Sequence, residues 1–157
     1  MEFDKAKKFA AYLLSSKTYT CKEMYQKLII KKFDSEVAEQ IVSKLCEAGI
    51  LNDEEYAKMY VHDAVNIHMK GAFRIRQELL KKGVASSLID KALGEFDDDV
   101  EEQLNEYVKL RFLDKVFEDY RDIEKAKSHL LRRGYGLSEI NKCFNRLGIR
   151  ISRGDWD

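Results

Sequence analysis

Three histidines, three cysteines and one dense run of carboxylates are the residues of this 157-residue chain that could do more than pack or solvate. His62 and His68 are six positions apart, a spacing that does not align on one helical face. Neither they nor His129 share a metal-ligand spacing with a cysteine or carboxylate, so each reads as a surface or boundary residue. Cys21, Cys46 and Cys143 are odd in number and far apart in the chain. They form no Cys-x-x-Cys knuckle and suggest no disulfide framework, and a reducing cytoplasm is the natural setting for them. Asp97-Asp98-Asp99 with Glu101-Glu102 has the density of a cation site. At the start of a helix, though, those carboxylates meet the positive end of the helix dipole, which gives them a structural reason to be there. No Gly-x-x-x-x-Gly-Lys loop or Gly-x-Gly-x-x-Gly fingerprint is present to hold a nucleotide. With no nucleophile–base pair to nominate, the expectation is a protein without catalytic residues, cofactor or metal.

The elements that position these side chains are helices. Proline is absent and only 8 glycines occur, while charged residues make up 36% and hydrophobic residues 45%, a balance that favours helix nearly throughout. Lysines and arginines match acidic residues at 28 each, which argues against a protein that works by blanketing DNA with positive charge. The signs separate along the chain: residues 51–120 carry 10 basic against 16 acidic, and residues 121–157 carry 9 against 5. The first residues lack the apolar run of a signal peptide, and no stretch approaches the roughly 18 apolar residues of a membrane span.

An internal repeat organises the chain. Leu79-Leu80-Lys81-Lys82-Gly83-Val84 and Leu130-Leu131-Arg132-Arg133-Gly134-Tyr135 share a pattern of two leucines, two basic residues, glycine and a bulky apolar residue. A looser copy begins at Leu28, with Lys32 where the glycines stand. Each copy has the punctuation of helix, turn, helix. In the first, Thr20 and Glu23 form a capping-box pair opening a helix with Met24 and Leu28 inward. Asp34 and Ser35 open the next, with Val37, Ile41 and Leu45 inward. In the second, Gly83 ends a helix, and Ser86 or Ser87 caps another with Leu88, Ile89, Ala92, Leu93 and Phe96 on its inner face. In the third, Gly134 ends a helix and Ser138 sits near the start of the next, before Ile140, Phe144 and Leu147. A longer helix precedes each pair, with inner stripes of Ala6, Phe9, Ala10 and Leu13, then Tyr56, Tyr60 and Ala64, then Val100, Leu104, Tyr107 and Val108. The expected fold is all-α: three tandem three-helix, helix-turn-helix-like repeats forming an elongated, curved molecule. The repeats span 4–49, 50–96 and 97–148, with a C-terminal tail over 149–157.

Three motifs on this repeat resemble a known family. Leu51-Asn52-Asp53-Glu54-Glu55-Tyr56-Ala57 resembles the signature that opens the second module of RecX proteins. The run from Lys70-Gly71-Ala72-Phe73-Arg74 to Lys82-Gly83-Val84 is similar to that family's central basic helix, and Leu130 to Tyr135 to its third-module motif. Order and spacing match, and the resemblance spans roughly residues 4–148. The chain departs from the pattern twice. Lys32-Phe33 stands where a Lys-Gly-aromatic turn is common, so the first such helix must end without its glycine cap. Tyr135 replaces the usual phenylalanine, which adds only a hydroxyl.

The resemblance implies a non-enzymatic regulator that lies in the groove of the RecA–single-stranded DNA filament. Such a protein inhibits the RecA ATPase, recombinase and coprotease activities. It implies a cytoplasmic monomer, off the membrane, with several weak contacts on one polymeric ligand. The candidate contacts are basic: Lys70, Arg74, Arg76, Lys81 and Lys82 centrally, then Arg132, Arg133, Lys142, Arg146, Arg150 and Arg153 towards the C-terminus. Arg74 and Lys81 share one helical face, and Lys142 with Arg146 forms another. Lys81, Lys82, Arg132 and Arg133 also sit where a cation stabilises a helix C-terminus, a structural role that competes with contact. Asp97–Glu102 would repel DNA and orient the protein. The rival readings are a helical DNA-binding module acting without RecA and a repeat adaptor for another protein.

Overall fold

The computed structural model describes residues 1–150, so Arg153 and Asp155-Trp156-Asp157 lie outside the described residues. Among the described residues the chain folds into nine helices: α1 (Glu2–Leu14), α2 (Cys21–Ile30), α3 (Ser35–Glu47), α4 (Asp53–Asn66), α5 (Ala72–Lys81), α6 (Ser86–Glu95), α7 (Asp97–Phe112), α8 (Tyr120–Arg132) and α9 (Leu137–Leu147). The fold is all-α. No described helix is long and apolar enough to cross a membrane.

Several helix starts follow local chemistry. The Thr20 hydroxyl accepts from the Glu23 N–H (3.1 Å) while the Glu23 carboxylate accepts from the Thr20 N–H (3.0 Å), a complete capping box. Asp34 caps α3 through the Glu36 N–H, and Asn52 caps α4 through the Glu55 N–H. At α6 neither Ser86 nor Ser87 caps. Both stand inside the helix, and the Ala85 carbonyl takes its first bonds. Ser138 is likewise inside α9, whose start is held by Glu139 reaching back to the Gly136 N–H at 2.9 Å.

Helix ends repeat one device. At α2, α5 and α8 the residue after the cap is left-handed: Lys32 (φ 75°), Gly83 (φ 88°) and Gly134 (φ 101°). In each, the next N–H reaches back to a leucine carbonyl: Phe33 to Leu28, Val84 to Leu79, Tyr135 to Leu130. Lys32 therefore adopts the glycine's backbone conformation without being glycine, and α2 ends as the other two do.

The described chain divides into two compact units. One comprises Met1–Tyr60 with Glu78–Ala92, the other Val61–Gln77 with Leu93 onward, so α4, α5 and α6 each contribute to both. In the first unit α3 packs on α1 and α2 around Ala6, Ala10, Tyr19, Met24, Leu28, Ala38, Ile41 and Leu51. Phe3, Phe9, Leu13 and Leu45 pack partly buried around it. In the second, α9 packs on α7 and α8. Its core holds Val100, Leu104, Val108, Ile123, Ala126, Leu130, Ile140 and Phe144, with the Phe112 ring 6.5 Å from Phe144. On α4 the buried stripe is Ala57, Val61, Ala64 and Val65 rather than the tyrosines. Tyr56 and Tyr60 flank it half-buried, rings stacked at 6.2 Å, because small residues allow a closer approach than phenols do.

Candidate partner-binding surface

The basic residues singled out by sequence divide into those the fold uses and those it leaves on the surface. The division is set by two seams of equivalent construction, one in each unit.

In the first unit the turn ending α5 rests on the start of α2. The Thr20 hydroxyl, fully buried, donates to the Lys82 carbonyl at 2.6 Å. A Cβ on Gly83 would fall 2.4 Å from the Lys22 Cβ, so glycine allows this approach as well as the left-handed turn. The Lys82 ammonium pairs with Glu23 at 3.4 Å and lies 5.7 Å from the Tyr60 ring centroid. Burial works against its charge, but Tyr56 and Glu23 outweigh that and raise its pKa above a free lysine's.

In the second unit the turn ending α8 rests on the segment before α5, and the positions correspond: Thr20 to Gly71 and Lys82 to Arg133, each 51 residues on. Here the contact is backbone to backbone. The Gly71 N–H donates to the Arg133 carbonyl (2.8 Å) and the Phe73 N–H to the Gly134 carbonyl (3.0 Å). A Cβ on Gly71 would lie 2.2 Å from the Gly134 carbonyl carbon, which explains the glycine where the earlier repeat has threonine. Met69, itself left-handed at φ 50°, accepts three bonds at its carbonyl: from Arg133 Nε (3.2 Å) and Nη2 (3.0 Å), and from the Tyr135 hydroxyl (2.9 Å). Arg133 also donates to the His68 carbonyl and lies 4.7 Å from the Tyr107 ring centroid. The hydroxyl that distinguishes Tyr135 from phenylalanine is thus an anchor of this seam.

The Lys82 and Arg133 side chains therefore have partners inside the chain. Arg146 does too, donating to Asn105 (2.8 Å) and pairing with Glu101 (2.9 Å) on α7. That pair uses one carboxylate of the acidic run that opens α7. Another, Asp99, accepts from the Asn66 amide at 3.3 Å. Lys70, Arg74 and Arg76 are half-buried, while Lys81, Arg132, Lys142 and Arg150 are exposed. Sequence reasoning passed over Arg111, Lys115 and Lys125, which line a cavity of about 340 Å³ with Phe112, Phe117, Asp122 and His129. Their signal was weak because they lie outside the repeated motif. His129 shares a 2.6 Å hydrogen bond with the Tyr107 hydroxyl. Burial, together with the charges of Arg111, Arg133 and Arg132, holds its pKa below the ordinary value.

One feature recurs at the same place on α2, α5 and α8 and is apolar. Ile29, Leu80 and Leu131, each one residue beyond the buried leucine, are 37%, 46% and 45% exposed. Beside the last two stand the exposed cations Lys81 and Arg132. Exposed aliphatics are unremarkable singly; here the same position is exposed in each copy of the repeat.

The fold defines an all-helical repeat protein whose equivalent helix ends each carry an exposed aliphatic side chain. Comparison with known proteins gives the family. Residues 6–45 match the first three-helix domain of RecX and residues 52–93 the second. The chain is 34% identical over 144 residues to the Regulatory protein RecX of Trichlorobacter lovleyi, covering 87% of this chain and 92% of that one. It is 34% identical over 148 residues to that of Caldanaerobacter subterraneus subsp. tengcongensis, covering 92% and 72%. The crystal structure of RecX from Lactobacillus salivarius superposes with a TM-score of 0.80 at 27% identity, covering 95% of this chain and 98% of that one. The chain belongs to the RecX family of regulatory proteins.

Proposed function

We propose that this protein is a non-catalytic regulator that binds the RecA–single-stranded DNA filament in its groove. In doing so it lowers RecA ATP hydrolysis, strand exchange and coprotease activity. It works as a cytoplasmic monomer built of three-helix repeats bounded at 4–49, 50–96 and 97–148. The observation that carries this reading is the recurrence of one exposed apolar side chain at the same helix end: Ile29, Leu80 and Leu131. A ligand made of identical protomers offers identical sites, and a chain with one equivalent contact per repeat gains affinity by engaging several at once. The exposed cations Lys81, Arg132, Lys142 and Arg150, with Lys70, Arg74 and Arg76, add charge complementarity to acidic filament surface or to DNA phosphates. Lys82 and Arg133, held in the two seams, support that surface from within, while Arg146, exposed beside Glu101, stays among the candidate contacts.

The test is DNA-dependent ATP hydrolysis by the cognate RecA, titrated with this protein. Inhibition well below one copy per RecA protomer supports filament regulation. An unchanged rate, together with no co-sedimentation on the filament, rejects it. Tight, salt-sensitive binding to naked DNA in the same series would favour a DNA-binding module acting without RecA.

A further inference from the structure

Two of the three cysteines, separate in sequence, meet in the fold. Cys21 is the first residue of α2 and Cys46 lies in the last turn of α3, and their sulfurs are 2.7 Å apart. Cys46 is exposed, Cys21 half-buried, and Cys143 buried at 1% exposure. A disulfide needs its sulfurs at about 2.05 Å, so the pair has less than 1 Å to close between two helices that already pack together. The Cys21 N–H is fixed by Asp53 (2.9 Å), and its neighbour Thr20 holds the seam to Lys82.

We propose that Cys21 and Cys46 form a site of reversible oxidation, closing to an intramolecular disulfide on exposure to a hydroperoxide. Burial, the Cys46 sulfur and Asp53 keep the Cys21 thiol protonated, so the exposed Cys46 is the sulfur that meets the oxidant. Its thiolate attacks one peroxide oxygen, breaking the O–O bond and giving a sulfenic acid and an alcohol or water. The Cys21 sulfur then attacks the sulfenic sulfur. The S–O bond breaks, and the departing hydroxide leaves as water with the Cys21 proton. Two thiols and one peroxide thus yield one disulfide, one alcohol or water, and one further water. A thiol reductant reverses the step. The bond would tie the first turn of α2, where the seam is made, to α3.

The experiment treats the whole folded chain with hydrogen peroxide, quenches with acid, alkylates under denaturing conditions and weighs the intact protein. The expected result is one alkylated thiol, Cys143, on a monomer about 2 Da lighter before alkylation, with all three thiols restored by dithiothreitol. In Cys21→Ser the expected product is a Cys46 sulfenic acid trapped by dimedone. In Cys46→Ser, Cys21 should stay an alkylatable thiol. Three alkylatable thiols after treatment of the natural chain would overturn the proposal. So would a disulfide-linked dimer, or oxygen adducts on Cys46 without loss of the Cys21 thiol.

Discussion

Replacing Gly134 with alanine perturbs the second seam at its tightest point, and the cost follows from the geometry. Gly134 has φ 101°, a conformation that costs an L-residue about 1–2 kcal/mol. The added Cβ would lie 2.4 Å from the Arg74 Cβ, 2.6 Å from the Arg74 nitrogen and 2.8 Å from the Gly71 carbonyl oxygen. Two of these atoms are backbone and the third is fixed to it, so relief requires the seam to open. Opening it removes the two backbone hydrogen bonds at Gly71 and Phe73, at about 1 kcal/mol each. The unfolded alanine chain has less freedom to lose, which returns about 0.4–1 kcal/mol. The net loss is about 3 kcal/mol. Gly148→Ala is the internal control: it too is left-handed, at φ 70°, but a Cβ there meets nothing within 4 Å. Its cost should be about 1 kcal/mol or less, from conformation alone. Urea unfolding followed by circular dichroism reads both. If the two variants lose the same stability, the crowding argument is wrong and only backbone conformation matters at Gly134.

Three further outcomes are expected. Lys32→Gly should stabilise the chain by about 0.5–1 kcal/mol in the same urea assay, because the left-handed strain at φ 75° exceeds the added freedom of the unfolded glycine; a loss of stability would show that the Lys32 side chain holds α2 in some other way. Leu80→Asp combined with Leu131→Asp should weaken filament co-sedimentation by tenfold or more with helical content unchanged, since both side chains are exposed; retained binding would remove the repeated apolar contact from the proposed surface. His129 has a folded pKa below its unfolded value, so the unfolded chain takes up the proton first. Its contribution is therefore present above the unfolded pKa of about 6.5 and fades as pH falls through that value. The unfolding midpoint should drop between pH 7.5 and 5.5, and His129→Gln should flatten that drop; an unchanged slope in the variant would place the titration elsewhere.

Local sequence was sufficient wherever the deciding interaction spans a few residues. The helical periodicity, the Thr20–Glu23 and Asn52–Glu55 starts and the repeated Leu-Leu-basic-basic-Gly ending all rest on such contacts. Even there, α6 began without the expected serines. Ser86 and Ser87 lie inside α6, and at α9 a glycine with a back-reaching Glu139 met the same requirement. Lys32 showed that bonds across the turn can hold a left-handed backbone that residue preference alone disfavours. What the sequence could not decide was which cations are free to bind. Lys82 and Lys81 are adjacent and alike in type, as are Arg133 and Arg132, yet one of each pair faces a seam and the other faces solvent. The partners that separate them, Glu23 and Met69, are 59 and 64 residues away, and Cys21 meets Cys46 across 25. Periodicity fixes the face of a helix, but only the packing of one helix against another determines what that face meets.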